Sequence, residues 1–207
     1  MTVFIGVDPS LNSTGLCMQF YEGDEKIKEY FVIIKPDKLT KKELIAQDTY
    51  LFFDYIIYDK FDLKHFDNNH DSEYHKTLNM IAVLDQIIYV IKDNINNVTD
   101  IHVVQEGISY GSTIRTKSVF DLAGLNFMIR DRLIKLSKSS IYNFNYIIAT
   151  PAEIKKWSTG NGNCKKELMI DLFKQIYPDF NLPKIDDICD AYFMASYAKY
   201  LNDKNSL

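Results

Sequence analysis

The chain opens with three short strand-like segments before any helical pattern appears, an order that few folds share. Residues 3–7 form an apolar run that stops at the turn residues Asp8 and Pro9, and two further runs follow at 16–21 and 30–35. Short apolar runs between turn residues are typical of β-strands. The first part of the chain therefore predicts a three-strand antiparallel meander.

Helical and extended patterns alternate in the remainder of the chain. Apolar residues recur every three or four positions in several segments, which is typical of amphipathic helices. Helices are predicted at residues 75–96, 116–138, 152–157 and 165–177, and from an N-cap at Asp186 or Asp187 to Leu201. Strands are predicted at 101–105 and 144–150. We therefore expect an α/β fold with a mixed five-stranded sheet, three strands antiparallel and two parallel, flanked by helices.

Size and composition favour one domain. A chain of 207 residues with 46% hydrophobic residues can bury one sizeable core. We expect a single domain over 1–207, with an insertion of uncertain structure around 36–75, where acidic, Asn and aromatic residues are mixed. The three cysteines lack metal-binding spacing, and no apolar stretch approaches the roughly 18 residues of a membrane span. These features predict an intracellular, cytoplasmic protein with no disulfide framework, structural zinc site or membrane partner.

The charges are unevenly distributed. The formal net charge is -4, yet residues 107–170 contain ten Lys or Arg and only four acids. A basic segment of this kind is compatible with a nucleic-acid partner, although solvated helix faces explain it equally well.

Four carboxylates lie at the ends of three predicted elements. Asp8 ends the first strand, Glu106 ends the fourth, and Asp187 and Asp190 lie three positions apart at the start of the last helix, on one face. The alanines beside them on this helix are small enough to let that face lie close to the sheet. If the first and fourth strands are neighbours, the four acids converge and need a divalent cation to offset their repulsion. Two such ions suit phosphodiester hydrolysis. Alternatively, Asp8 only forms part of a turn, and the two helix acids are there only because the helix dipole stabilises negative charge at a helix N-terminus.

Several motifs, taken in order along the chain, resemble the RuvC family of Holliday junction resolvases, which has an RNase H-like fold. They are Gly6-Val7-Asp8-Pro9-Ser10 with Thr14-Gly15, Val103-Val104-Gln105-Glu106, Pro151-Ala152-Glu153-Ile154-Lys155, Gly160-Asn161-Gly162, Lys166, and Asp187-Ile188-Cys189-Asp190-Ala191. The resemblance covers almost the whole chain. The bias toward Asn, Lys, Ile and Tyr further suggests a phage or viral member, which would act in the host cytoplasm.

The resemblance implies roles for individual residues. Asp8, Glu106, Asp187 and Asp190 would be catalytic and would bind two Mg²⁺ or Mn²⁺ ions, and Lys155 and Lys166 would be catalytic and face the DNA. The DNA-binding residues would be Tyr110, Arg115, Lys117, Lys155, Lys156, Gly160, Gly162, Lys165 and Lys166. The family has an aromatic residue at the position that Ser109 occupies here, and the neighbouring Tyr110 would take its place.

The expected function is that of a metal-dependent, structure-selective endodeoxyribonuclease that nicks four-way DNA junctions and leaves 5′-phosphate and 3′-hydroxyl ends. Two symmetric nicks need two active sites, so the resemblance also implies a homodimer, with the helix at 116–138 as a candidate interface element. The alternatives are an RNase H-like or flap nuclease of the same fold, and a catalytically inactive junction-binding scaffold. An actin-type ATPase is disfavoured, because a second Gly-rich phosphate loop is missing.

Overall fold

Six strands form one mixed sheet in the computed structural model, which describes residues 1–36, 38–59, 69–108, 118–139 and 142–205. The strands are β1 Thr2–Asp8, β2 Thr14–Glu22, β3 Glu25–Pro36, β4 Phe53–Tyr58, β5 Asp100–Glu106 and β6 Asn143–Ala149. The helices are α1 Lys41–Thr49, α2 Asn69–Asn94, α3 Ser118–Ser139, α4 Pro151–Thr159, α5 Lys166–Ile176 and α6 Ile185–Asn205. None of the helices in these ranges is long and apolar enough to cross a bilayer.

The strand order places β1 beside β5, two strands that are far apart in the sequence. It is β4-β3-β2-β1-β5-β6. β1, β2 and β3 pair in antiparallel fashion, whereas β5 runs parallel to β1 and β6 runs parallel to β5. The α/β class, the meander and the two parallel strands predicted from the sequence are confirmed.

The described sheet has one strand more than the five that we predicted. β4 pairs in parallel with the outer edge of β3, inside the region 36–75 that we expected to be an insertion. β4 buries Phe53 and Tyr55, and its Asp54 accepts a hydrogen bond of 2.6 Å from the Tyr30 hydroxyl. This hydrogen bond pairs a carboxylate within a strand, in a region whose structure the sequence pattern left open. The same region also contains α1, which begins with a capping box.

The last helix begins earlier than predicted. α6 starts at Ile185, directly after Lys184, which adopts a left-handed conformation with a φ of 61°. Asp186 and Asp187 therefore lie in the first helical turn instead of at the N-cap, where the helix dipole still favours their negative charge. Asp187 and Asp190 lie on one face of α6 because they are three positions apart.

The two faces of the sheet bury separate cores. α2 and α3 cover one face and contact alternate residues of β1, such as Ile5. α4, α5 and α6 cover the other face and contact Phe4 of β1 and Val104 of β5. Because side chains alternate along a strand, Asp8 shares the face of Phe4, and Glu106 shares that of Val104. Both acids therefore lie on the side of the sheet that α6 covers.

α6 lies directly on β1 and β2 because both strands have a glycine beneath it. A Cβ atom at Gly6 would lie 1.9 Å from the carbonyl oxygen of Ala191, and one at Gly15 would lie 2.2 Å from that of Asp187. The sequence predicted small residues on the helix side of this contact, such as Ala191 and Ala195, and both are buried. The glycines complete the contact from the strand side, which lets the start of α6 reach the ends of the strands.

Candidate active site

Two carboxylates meet where β1 and β5 end. The strands are parallel neighbours, with Val7 opposite Gln105, so Asp8 and Glu106 lie at the same edge of the sheet. Asp8 is only 9% exposed. Burial raises the pKa of Asp8 well above its usual range, and the charge of Glu106 raises it further. Burial also raises the pKa of Glu106. A buried pair of like charges favours uptake of a proton or a cation.

α6 brings two more carboxylates to this edge. Burial raises the pKa of both Asp187 and Asp190, and the charges of these two residues in turn raise the pKa of Asp8. The hydroxyl of Ser13 donates a hydrogen bond to Asp187 Oδ2, which opposes the effect of burial on that group. The four carboxylates therefore converge as the sequence predicts, and we refer to Asp8, Glu106, Asp187 and Asp190 as the acid site.

An open pocket of about 200 Å³ adjoins the acid site, and its lining includes Glu106, Asp190, Lys155 and Lys166. Lys166 is the first residue of α5, and its Nζ lies 3.0 Å from Asp190 Oδ2 and 3.1 Å from Asp186 Oδ2. Lys155 lies on α4, and its charge lowers the pKa of Glu106 and of Asp190. Both lysines that the resemblance singled out are therefore at the acid site.

The end of α4 and its connection to α5 contain other basic residues and the glycines predicted to bind DNA. Lys156 on α4 and Lys165 before α5 are both exposed. Gly160 ends α4 with a left-handed φ of 79°, and a Cβ atom at Gly162 would lie 2.9 Å from the carbonyl oxygen of Ala152. The backbone conformation at Gly160 and the close backbone contact at Gly162 therefore explain why both residues are glycines, without any contact with DNA. Other predicted DNA-binding residues lie outside the described residues: Tyr110, Arg115 and Lys117.

The chemistry of the acid site fits a hard divalent cation. Its donors are all carboxylate oxygens, the ligands that Mg²⁺ and Mn²⁺ prefer, and their mutual repulsion is the kind that such a cation relieves. Within the described ranges, however, no three His, Cys, Asp or Glu side chains already surround a common metal position. The ammonium of Lys166 pairs with Asp190 instead. Metal binding would therefore require the carboxylates to reorient.

A buried polar network, which the sequence pattern did not predict, supports the strand that ends in Glu106. Gln105 is fully buried and lies on the opposite face of β5. Its Nε2 donates a hydrogen bond of 2.7 Å to Asn126 Oδ1 on α3, and its Oε1 accepts one of 2.5 Å from the Tyr146 hydroxyl on β6. The available signal was a Gln inside an apolar strand. Because these bonds join three elements, they fix the end of β5.

Carboxylates and ammonium groups around one open pocket suit the binding of a phosphate group. A cation held by the acid site would attract phosphate oxygens, and so would the two lysines on the pocket wall. The arrangement is therefore suited to hydrolysis of a phosphodiester.

Solved structures of RuvC share this fold. The Thermus thermophilus RuvC structure has a TM-score of 0.52 and 13% sequence identity, covering 97% of this chain and 96% of that chain. T. thermophilus RuvC in complex with Holliday junction substrate has a TM-score of 0.51 and 13% identity, covering 94% and 91%. Neither a protein-family model nor a curated protein sequence matches this chain. The resemblance seen in the sequence motifs is thus confirmed in the fold, and this chain has a RuvC-like α/β fold over nearly its whole length.

Proposed function

We propose that this protein is a metal-dependent, structure-selective endodeoxyribonuclease that nicks four-way DNA junctions. The observation that carries the proposal is the convergence of four carboxylates from β1, β5 and α6 beside a pocket with two lysines, on a RuvC-like sheet. T. thermophilus RuvC, which has a similar fold, has been solved in complex with Holliday junction substrate. That complex supports branched DNA as the substrate that we propose here.

The acid site is the proposed metal centre. Asp8, Glu106, Asp187 and Asp190 would hold two Mg²⁺ or Mn²⁺ ions. When bound, such ions activate water and stabilise the charge of a phosphodiester during in-line displacement. The support is the set of oxygen donors and their burial, which is the main cause of the raised pKa of all four carboxyl groups and which a bound cation would offset.

The two lysines of the pocket are the proposed phosphate-binding groups. An ammonium beside the scissile phosphate stabilises the additional negative charge of the transition state. Lys155 and Lys166 would act in this way, and Lys156 and Lys165 would extend the contact along the DNA backbone. Gly160, Gly162, Tyr110, Arg115 and Lys117 remain predicted DNA contacts. Attack of water with departure of the 3′ oxygen would leave 5′-phosphate and 3′-hydroxyl ends.

Two symmetric nicks in one junction require two active sites, and we propose that a homodimer supplies them. α3 offers an interface element, because Phe120, Phe127 and Ile134 are exposed and lie seven positions apart, which places them on one side of the helix. A groove beside this stripe contains Leu84 of α2 and Met128 of α3. An exposed apolar stripe of this length favours contact with another protein surface.

Substitution of Phe127 by Glu should therefore weaken dimerisation by about 30-fold, since a charge would be buried in an apolar interface. Sedimentation velocity over a concentration series measures this change. Ile27→Glu is the matched control, because Ile27 is an exposed apolar residue of β3, and β3 is separated by three strands from β6, the strand that α3 contacts. A wild-type protein that remains monomeric at high concentration, with and without junction DNA, would refute the dimer.

The proposed activity is tested with a labelled synthetic four-way junction beside a linear duplex, a flap and an RNA:DNA hybrid. We expect paired nicks in the junction alone, dependent on Mg²⁺ or Mn²⁺ and abolished by EDTA, because the acid site needs a cation to hold a phosphodiester. Cleavage of the flap or the hybrid instead would overturn the proposed substrate, but the proposed phosphodiester hydrolysis at the acid site would still hold. Junction binding without cleavage in either metal would indicate a scaffold.

The phage or viral origin and the cytoplasmic location predicted from the sequence remain proposals. All three cysteines are buried and free.

A further inference from the structure

Lys166 is held between two acids that differ in their position relative to the acid site. Its Nζ lies 3.0 Å from Asp190 and 3.1 Å from Asp186. The side chain of Asp190 is 23% exposed and belongs to the acid site, whereas that of Asp186 is 40% exposed and lies outside it. The ammonium of Lys166 therefore bridges a proposed metal ligand and a carboxylate that has no proposed role in metal binding.

This ammonium offsets part of the negative charge of the acid site. The charge of Lys166 lowers the pKa of Asp190, of Asp187 and of Glu106. A divalent cation would have the same electrostatic effect on the same groups. It would also be held by Asp190, the carboxylate that Lys166 contacts. Lys166 and the cation would therefore share the negative charge of one carboxylate.

We propose that Lys166 competes with the divalent cation for Asp190, and that Asp186 is a positioning residue that retains the ammonium of Lys166 at the pocket when the cation binds Asp190. The inference rests on the proposed function, because it takes the acid site as the metal centre. It adds an exchange between two ion pairs that the proposed function does not require.

The exchange makes the free energy of metal binding depend on both Lys166 and Asp186. When the cation binds, Lys166 loses Asp190 but keeps Asp186, so the positive charge remains beside the phosphate-binding pocket. Without Asp186, displacement would leave the ammonium with neither partner, and metal binding would be weaker. Without Lys166, the competitor is absent, metal binding is tighter, and Asp186 has no ammonium to retain.

Calorimetric titration of Mn²⁺ into the DNA-free protein tests the exchange without measuring activity. Lys166→Met should tighten Mn²⁺ binding by about tenfold, and Asp186→Asn should weaken it by about threefold to fivefold. Lys155→Met is the matched control for loss of a positive charge, because Lys155 lines the same pocket and its charge also lowers the pKa of Asp190 and of Glu106. It should tighten binding by about threefold at most.

The double variant Asp186→Asn/Lys166→Met separates retention of Lys166 from simple attraction between Asp186 and the metal. We expect Asp186→Asn to change Mn²⁺ affinity by less than about 1.5-fold when Lys166 is already Met. An equal weakening in both backgrounds would show that Asp186 acts through its charge alone, and would overturn its positioning role.

Two other outcomes also have distinct meanings. If wild-type protein binds Mn²⁺ and Lys166→Met tightens binding no more than Lys155→Met does, the competition is refuted and the proposed metal centre survives. If neither the wild type nor Lys166→Met binds Mn²⁺ at millimolar concentration while both remain folded by circular dichroism, the exchange and the proposed metal centre fail together.

Discussion

Asp8→Asn should abolish junction cleavage and leave junction binding intact. Asn has nearly the shape of Asp, so the buried end of β1 is preserved, but it lacks the charge that the proposed metal centre requires. We expect the cleavage rate to fall by about 1,000-fold, the scale seen when one preorganised electrostatic group is removed from an active site. Single-turnover cleavage and a gel-shift measurement on the same junction separate the two effects.

Asp48→Asn is the control for this substitution, because Asp48 is an exposed acid on α1 and should leave cleavage unchanged. The Asp8 variant should also be at least as stable as the wild type in EDTA, since it removes one charge from a buried group of like charges. Cleavage within about threefold of the wild-type rate would remove Asp8 from the catalytic machinery.

Gly6→Ala should displace α6 from the sheet. The added Cβ would lie 1.9 Å from the carbonyl oxygen of Ala191 and 2.7 Å from the amide nitrogen of Ala195, and backbone atoms of a packed helix cannot move aside as a flexible side chain can. We expect the free energy of unfolding to fall by about 3 kcal/mol or more. Cleavage should be lost as well, because α6 positions Asp187 and Asp190. Urea denaturation and the junction assay measure the two effects.

Gly124→Ala is the matched control, because it makes the same chemical change where space is available. A Cβ atom at Gly124, within α3, would lie 3.6 Å from the sulfur of Met80, an ordinary contact. Since Ala is the better helix former, this variant should be more stable by about 0.5–1 kcal/mol. If Gly6→Ala were as stable as the wild type, the close approach of α6 to β1 would be wrong.

The strand-end acids could be predicted from the sequence because each follows a short run rich in β-branched residues, which is typical of a buried strand. The runs that end at Asp8 and Glu106 have this form, and the three-residue spacing of Asp187 and Asp190 fixes their common face on a helix. The pattern also predicted small residues where α6 meets the sheet. It did not assign Gly6 and Gly15 to the same contact, because that requires the register of β1 against β2.

Other features depend on partners that are distant in the sequence. β4 was not predicted because acidic, Asn and aromatic residues are mixed in residues 36–75, and the hydrogen bond of Asp54 with Tyr30 depends on the folded sheet. The polar turn after Asp8 gave no sign that Ser13 binds Asp187, 174 positions further along the chain. Similarly, nothing in the sequence pairs Lys166 with Asp186, since both look like ordinary charges near helix ends.

The contact of α6 with the glycines of β1 and β2 makes the acid site a late product of folding. Asp8 and Glu106 come together once β1 and β5 pair. Asp187 and Asp190 join them only when α6 docks on β1 and β2, which lie at the other end of the chain. Contacts between sequence-distant segments form slowly, because a long loop must close first. A chain that has formed its sheet but not docked α6 would therefore have an incomplete acid site, and the proposed cleavage could begin only after α6 has docked.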